Sequence, residues 1–167
     1  YFIERMRLKK WRVTGLIWWN LLDGWPQISD AVVDYYFRKK LAFHYIRRSQ
    51  QPVCLMMDEP AGWKARVVAA NDTNTVKEIS YKITDEKGEI LMEGHVIAAP
   101  GENVELGLLP VFAGAQKLYL LHWTVDGKNY ANHYISGYPP FKLEDYRRWL
   151  KIIQAFPDSF SAEECVE

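Results

Sequence analysis

Three of the chain's seven tryptophans, Trp18, Trp19 and Trp25, crowd with Asp23 and Pro26 into residues 15–36. Indole rings are large, stiff and amphipathic. Grouped this closely they form either dense core or a wall against which something flat and polar is held. Asp23 could accept hydrogen bonds from a ligand or from a neighbouring side chain; next to Gly24 it suits a turn equally well. Other chemistry is hard to assemble. His44, His95, His122 and His133 lack the close spacing of metal ligands, although His122 and His133 flank a turn at 126–129 and could face each other across it. Ser29, Ser49, Ser80, Ser136, Ser159 and Ser161 have no nucleophile-elbow context, and no glycine-rich phosphate loop exists. The expectation is therefore no metal and no cofactor.

The elements that must position Trp19 and Asp23 come from residues 1–52. Residues 2–11 read as the end of a helix with Phe2, Ile3 and Met6 on one side. "RVTGLIWW" reads as a short buried strand, with Val13, Gly15, Ile17 and Trp19 on one face and Thr14, Leu16 and Trp18 on the other. "LLDGWPQISD" reads as a loop. Ser29 or Asp30 then suits the N-cap of a helix running to about Arg48. Its apolar stripe would be Val33, Phe37 and Leu41, widened by Tyr36 and Tyr45, with Asp34 in the first turn. Arg38, Lys39, Arg47 and Arg48 would form a solvated face. One strand cannot satisfy its own backbone groups, so residues 1–52 read as an incomplete α/β piece that needs cover.

Residues 53–136 read differently, as seven short strand-like runs. Ala65, Val67 and Ala69 alternate with Lys64, Arg66 and Val68, and Ile79, Tyr81 and Ile83 with Ser80, Lys82 and Thr84. "DEKGE" at 85–89 and "DGKN" at 126–129 read as hairpin turns. This pattern fits an immunoglobulin-like β-sandwich. Trp123 falls in an apolar run and suits core, whereas Trp63 follows Gly62 at a strand start and suits exposure. The segment "PPFKLEDYRRWLKIIQAF" closes the sandwich as an amphipathic helix presenting Leu143, Tyr146, Leu150 and Ile153. Residues 158–167 read as a short polar tail. The fold class is thus mainly β, with domains at 1–52, 53–157 and a tail at 158–167.

Composition removes several classes of partner. Lys plus Arg and Asp plus Glu number 21 each, so there is no basic footprint for nucleic acid or an anionic membrane. No apolar run reaches the roughly 18 residues of a membrane span. Cys54 and Cys165 make no disulfide framework, and leave a single bridge open. The charged, amphipathic start "YFIERMRLKKWR" does not look like a signal peptide and lacks an initiator Met. The chain reads as cut from something longer, and its compartment is not legible.

The opening stretch resembles the end of the catalytic barrel in glycoside hydrolase family 2, in its β-mannosidase and exo-β-glucosaminidase branch, with β-galactosidase-like members further off. The pieces that carry the resemblance are Gly15, Trp19, Leu21, Asp23, Trp25 and Pro26, then Asp34, Tyr35 and Tyr36, then Lys40, Ala42, Phe43 and Tyr45. "IERMR" resembles the end of the barrel's seventh helix. "NHYISGYPPFKLEDYRRWL" at 132–150 resembles the closing segment of the C-terminal sandwich. Leu22 stands where the family often has Asn.

The resemblance implies the last strand and helix of a (β/α)8 barrel, followed by the sandwich, from a parent enzyme that hydrolyses terminal β-linked sugars with retention. Such hydrolysis needs two carboxyl groups about 5 Å apart. The family takes them from earlier barrel strands; Glu4, Glu59, Glu78 and Glu89 match neither motif. The expectation is no catalytic residue in this chain, with Trp19 as the floor of a sugar subsite and Asp23 as a polar contact there. An indole face matches the C–H face of a pyranose. Two other functions stay open: a non-catalytic glycan-binding sandwich using Trp63, and a structural spacer. Without the rest of a barrel, residues 13–48 are expected to pack on the sandwich or pair with another copy.

Overall fold

A computed structural model describes residues 1–112 and 114–158. The remaining tail, with Ser159, Ser161 and Cys165, lies outside the described residues. Among the described residues, seven strands form the body: β1 Val53–Met57, β2 Lys64–Asn71, β3 Lys77–Asp85, β4 Ile90–Ala98, β5 Asn103–Pro110, β6 Lys117–Val125 and β7 Lys128–Ser136. Three helices flank them: α1 Phe2–Arg7, α2 Leu41–Ser49 and α3 Leu143–Gln154. All strand pairs are antiparallel, in one sheet of order β1-β2-β5 and another of order β4-β3-β6-β7.

Alternation explains the sandwich. Ala65, Val67 and Ala69 turn inward from β2, and Ile79 and Ile83 from β3. They meet Leu55, Met57, Leu121 and Trp123 in one core between the sheets. Hairpin β3–β4 turns at 85–89, where the Lys87 and Glu89 amides donate to Asp85 Oδ1 at 2.8 and 2.9 Å. Hairpin β6–β7 turns at Asp126–Gly127, both with positive φ. Cys54 is a free, buried thiol in β1, and burial pushes it up to about 12.

Strand β6 is apolar on both faces because both are covered. Its second face, with Leu118 and Leu120, packs with Ala131 against Trp149, Ile153 and Phe156. The buried stripe of α3 therefore runs through Trp149 and Ile153, while the expected Leu143 stands exposed. Geometry within the chain decides this, because the ring that reaches β6 comes from the fourth-spaced row through Trp149.

Two expectations for residues 1–52 fail. Residues 13–18 form no strand, since a strand needs a neighbour to close its ladder and the described residues offer none there. The helix expected from Ser29 starts instead at Leu41, with Lys40 at its N-cap. Local hydrogen bonds hold residues 21–40 in another form. The Val33 amide donates to Leu21 O at 2.9 Å, the Asp23 amide to Val33 O at 3.1 Å and the Lys40 amide to Val32 O at 2.9 Å. Phe37 has φ +63° and is exposed, so no stripe of Val33, Phe37 and Leu41 exists.

The first segment is tied to the sandwich by polar side chains. Arg7 donates to Ser49 O at 2.5 Å and to Asp72 at 2.7 Å, and Lys10 joins the same carboxylate. Asn132 Nδ2 in β7 donates to Glu4 Oε1 at 2.8 Å and to Leu55 O at 3.0 Å. Arg48, expected on a solvated face, is buried: its Nε lies 2.8 Å from both oxygens of Asp158, and Nη2 donates to Ile153 O at 2.9 Å. Among the described residues, no helix is long and apolar enough to cross a membrane.

Candidate functional site

The tryptophans separate in space. Trp19 is 80 % exposed and Trp25 is 65 % exposed. Trp18 is 41 % exposed and, with Trp11, Val13, Leu16, Pro100 and Gly101, lines a cleft of about 630 Å³. The Trp19–Asn20 peptide is cis. Of the two residues expected to pack, Trp18 is partly covered in a cleft shared with the sandwich, whereas Trp19 stands exposed.

Asp23 does something other than face outward. Its side chain has no solvent exposure, and Lys40 Nζ donates to Oδ2 at 3.1 Å. Gln27 Nε2 donates to Oδ1 at 3.1 Å, and the Ser29 hydroxyl donates to the same oxygen. Ser29 Oγ in turn accepts from the Ala31 amide at 3.0 Å, and Lys40 also donates to Ser29 O at 3.2 Å. Donation from Ser29, then from Lys40 and Gln27, holds the Asp23 carboxyl below its ordinary value against the opposing effect of burial. The carboxylate is the knot that closes loop 21–40.

Asp34 is a second knot in the same loop, not a residue of a first helical turn. Its Oδ1 accepts from the Tyr36 and Arg38 amides at 2.9 and 2.8 Å, and Oδ2 from Arg38 Nε at 2.8 Å. Burial pushes its carboxyl up, but donation from Arg38 and Tyr36 outweighs this and leaves it below its ordinary value. Trp25 therefore stands in a loop whose backbone is fixed by two satisfied carboxylates, and Trp19 precedes that loop in the chain.

The histidines do not gather. Among the described residues, no group of three His, Cys, Asp or Glu side chains could hold a metal ion. His122 and His133 are not cross-strand partners, since His122 opposes Ala131 and His133 opposes Leu120. Both rings instead contact Phe156, at 5.6 and 6.4 Å. Of the sandwich tryptophans, Trp123 is buried and stacks on Tyr130 at 5.6 Å, whereas Trp63 is 65 % exposed. Sequence reasoning missed the burial of Glu4, Arg48 and Asp23. Only the chance neighbourhood of Gln27, Ser29 and Lys40 around Asp23 is a local signal that could have found one of them.

Comparison with known proteins supplies further context. No family model matches the chain. β-Mannosidase B of Aspergillus flavus is 44% identical over 41 residues, which make up 25% of this chain and 5% of that protein; β-mannosidase B of Emericella nidulans matches equally well. Among solved structures, the β-D-mannosidase from Dictyoglomus thermophilum superposes with a TM-score of 0.66 at 23% identity, covering 80% of this chain and 17% of that one. The exo-chitosanase of Amycolatopsis orientalis gives a TM-score of 0.56 at 20% identity, covering 74% of this chain and 15% of that one. The chain spans well under two thirds of the length of these relatives. In sequence stretch and in fold, it is similar to the C-terminal part of family 2 glycoside hydrolases of the β-mannosidase and exo-chitosanase kind.

Proposed function

We propose that the chain is the C-terminal portion of a retaining, exo-acting β-glycosidase that releases terminal β-linked sugars, with mannosides favoured. The identity to β-mannosidase B over 41 residues carries this reading, and the outward indole of Trp19 supports it. Residues 1–52 are the last strand and helix of its catalytic barrel, which take their sheet form only beside the rest of that barrel.

In this reading Trp19 floors the sugar subsite, presenting apolar area to the C–H face of the pyranose. Asp23 is a positioning residue: saturated by Ser29, Gln27 and Lys40, it holds the loop that aims Trp19. Both catalytic carboxyl groups come from outside the chain, so the 167-residue chain alone hydrolyses no aryl β-glycoside.

The test replaces Trp19 by Ala in the full-length enzyme and reads kcat/KM on a panel of aryl β-glycosides, with thermal stability as control. A loss of about tenfold or more at unchanged stability, equivalent to roughly 1.4 kcal/mol of transition-state binding, is the expected result. Unchanged turnover makes Trp19 a packing residue. A second reading, a glycan-binding sandwich without catalysis, is favoured by the exposed Trp63; Trp63→Ala would then abolish binding of mannan by the isolated chain.

A further inference from the structure

A cleft of about 670 Å³ opens between β7, the α2 and α3 helices and the loop after β7, and shares no lining residue with loop 15–40. Its volume lies within the roughly 300–1,000 Å³ of small-molecule sites. Three features suit it to one class of ligand.

First, its mouth carries two exposed aromatic rings on a braced loop. Tyr138 and Phe141 are both exposed. Gln116 braces the segment between them: its Nε2 donates to Tyr138 O at 3.2 Å and Pro140 O at 3.0 Å, and its Oε1 accepts from the Lys142 amide at 3.2 Å. Gly137, at φ +116°, lies so close to Gln116 that a Cβ would meet its side chain at 2.9 Å. Exposed rings held this way meet a ligand at low entropic cost.

Second, polar side chains line the wall, His133, Tyr45 and Tyr146 among them. His133 Nδ1 is buried and has no hydrogen-bond partner among the described residues; burial pushes this imidazole down to about 3, so it is neutral. The Tyr45 and Tyr146 hydroxyls, 3.2 Å apart, stand in the same wall.

Third, the charged side chains that line the cleft already hold partners. Arg48 is paired with Asp158 and Glu59 with Arg5, and Glu4 Oε1 accepts from Asn132 Nδ2. An anion or cation gains little from groups engaged in this way, whereas hydroxyl groups can share these acceptors and donors.

We infer that this cleft, between α2, α3 and the Gln116-braced loop of Tyr138 and Phe141, is a second carbohydrate site that binds a neutral mono- or disaccharide without cleaving it. The inference does not rest on Trp19 being a sugar platform.

The test is a titration of the isolated, isotope-labelled chain with methyl β-mannoside and β-mannobiose, followed by amide shifts. Saturable shifts at residues 133–146 are expected. Tyr138→Ala and Phe141→Ala, both at exposed positions that leave the core intact, each weaken binding about fivefold, the size of one aromatic contact. Trp19→Ala and Trp63→Ala leave it unchanged. Absence of saturable shifts with either sugar overturns the inference. So do shifts that survive Tyr138→Ala and Phe141→Ala, or that centre on residues 15–40 or on Trp63. Loss of turnover in full-length Trp19→Ala, with these shifts intact, separates the two sites.

Discussion

Lys40 Nζ sits 3.1 Å from the Oδ2 of Asp23, joining the residue before α2 to the turn that follows Trp19. The pair spans seventeen residues of chain and replaces the helix that the local sequence invites. With Ser29 and Gln27 it leaves the carboxylate no free face, so the loop is closed from within. Asp23 thereby fixes the loop that follows Trp19 in the chain.

Asp23→Ala should loosen residues 21–40 and lower Tm by several degrees, and Asp23→Asn should do so nearly as much because it cannot accept from three donors at once. The pH dependence has a definite sign. The folded carboxyl is held below its ordinary value, so its contribution is full above about pH 4 and falls away as pH drops through the lower folded value. Thermal melts of wild type and variant from neutral to strongly acidic pH check this: the gap between them should close at the acid end.

Glu4 should behave in the opposite sense. Burial raises its carboxyl, against the lowering influence of Asn132 and Arg7. Its stabilisation is therefore full below the ordinary carboxyl value and is lost as pH rises through the folded one. Glu4→Gln keeps an acceptor for Asn132 and removes the charge, so the variant should melt at or above the wild-type Tm at neutral pH. The advantage should vanish on acidification. A lower Tm at neutral pH would mean that the ionised form is the one the fold requires.

Arg48→Ala removes a buried guanidinium that holds Asp158 and Ile153 O. Breaking one side of such a pair costs about 3 kcal/mol, readable by urea unfolding. Arg48→Lys should recover little, because one ammonium cannot reach both the carboxylate and the carbonyl.

Trp149→Ala empties the anchor of α3 between Leu118, Leu120 and Ile153, and it also removes the indole N–H that donates to Glu86. The expected loss is roughly 3–5 kcal/mol. Leu143→Ala, on the exposed side of the same helix, should cost almost nothing. Equal losses would contradict the assignment of the buried stripe.

Ile17, Trp19, Leu21, Trp25 and Ile28 all stand exposed on the first segment. An apolar face of this kind favours association, so the isolated chain should sediment increasingly as a dimer with rising concentration, and Ile17→Asp with Trp25→Asp should restore the monomer. A monomer at every concentration would show that the face is tolerated in water.

The sequence by itself determined the seven strands, two hairpin turns and the closing helix. Each follows from information local to it: period-two alternation at Ala65–Ala69 and Ile79–Ile83, Asp and Gly at the turns, and fourfold spacing after Pro140. The aromatic stretch that marks the candidate site was legible too, as was the exposure of Trp63. Only tertiary structure decided what residues 12–52 became. "RVTGLIWW" has the composition of a strand, but a strand is a relation between segments, and among the described residues no partner strand lies beside it. Val32 and Val33 were bound into a loop by Leu21 and Lys40 rather than into a helix. Arg48 and Glu4 look like surface charges in their own helices. They are buried because Asp158 and Asn132, 110 and 128 residues away along the chain, arrive to meet them. Burial of a charge depends on who else is present, and no local pattern encodes that.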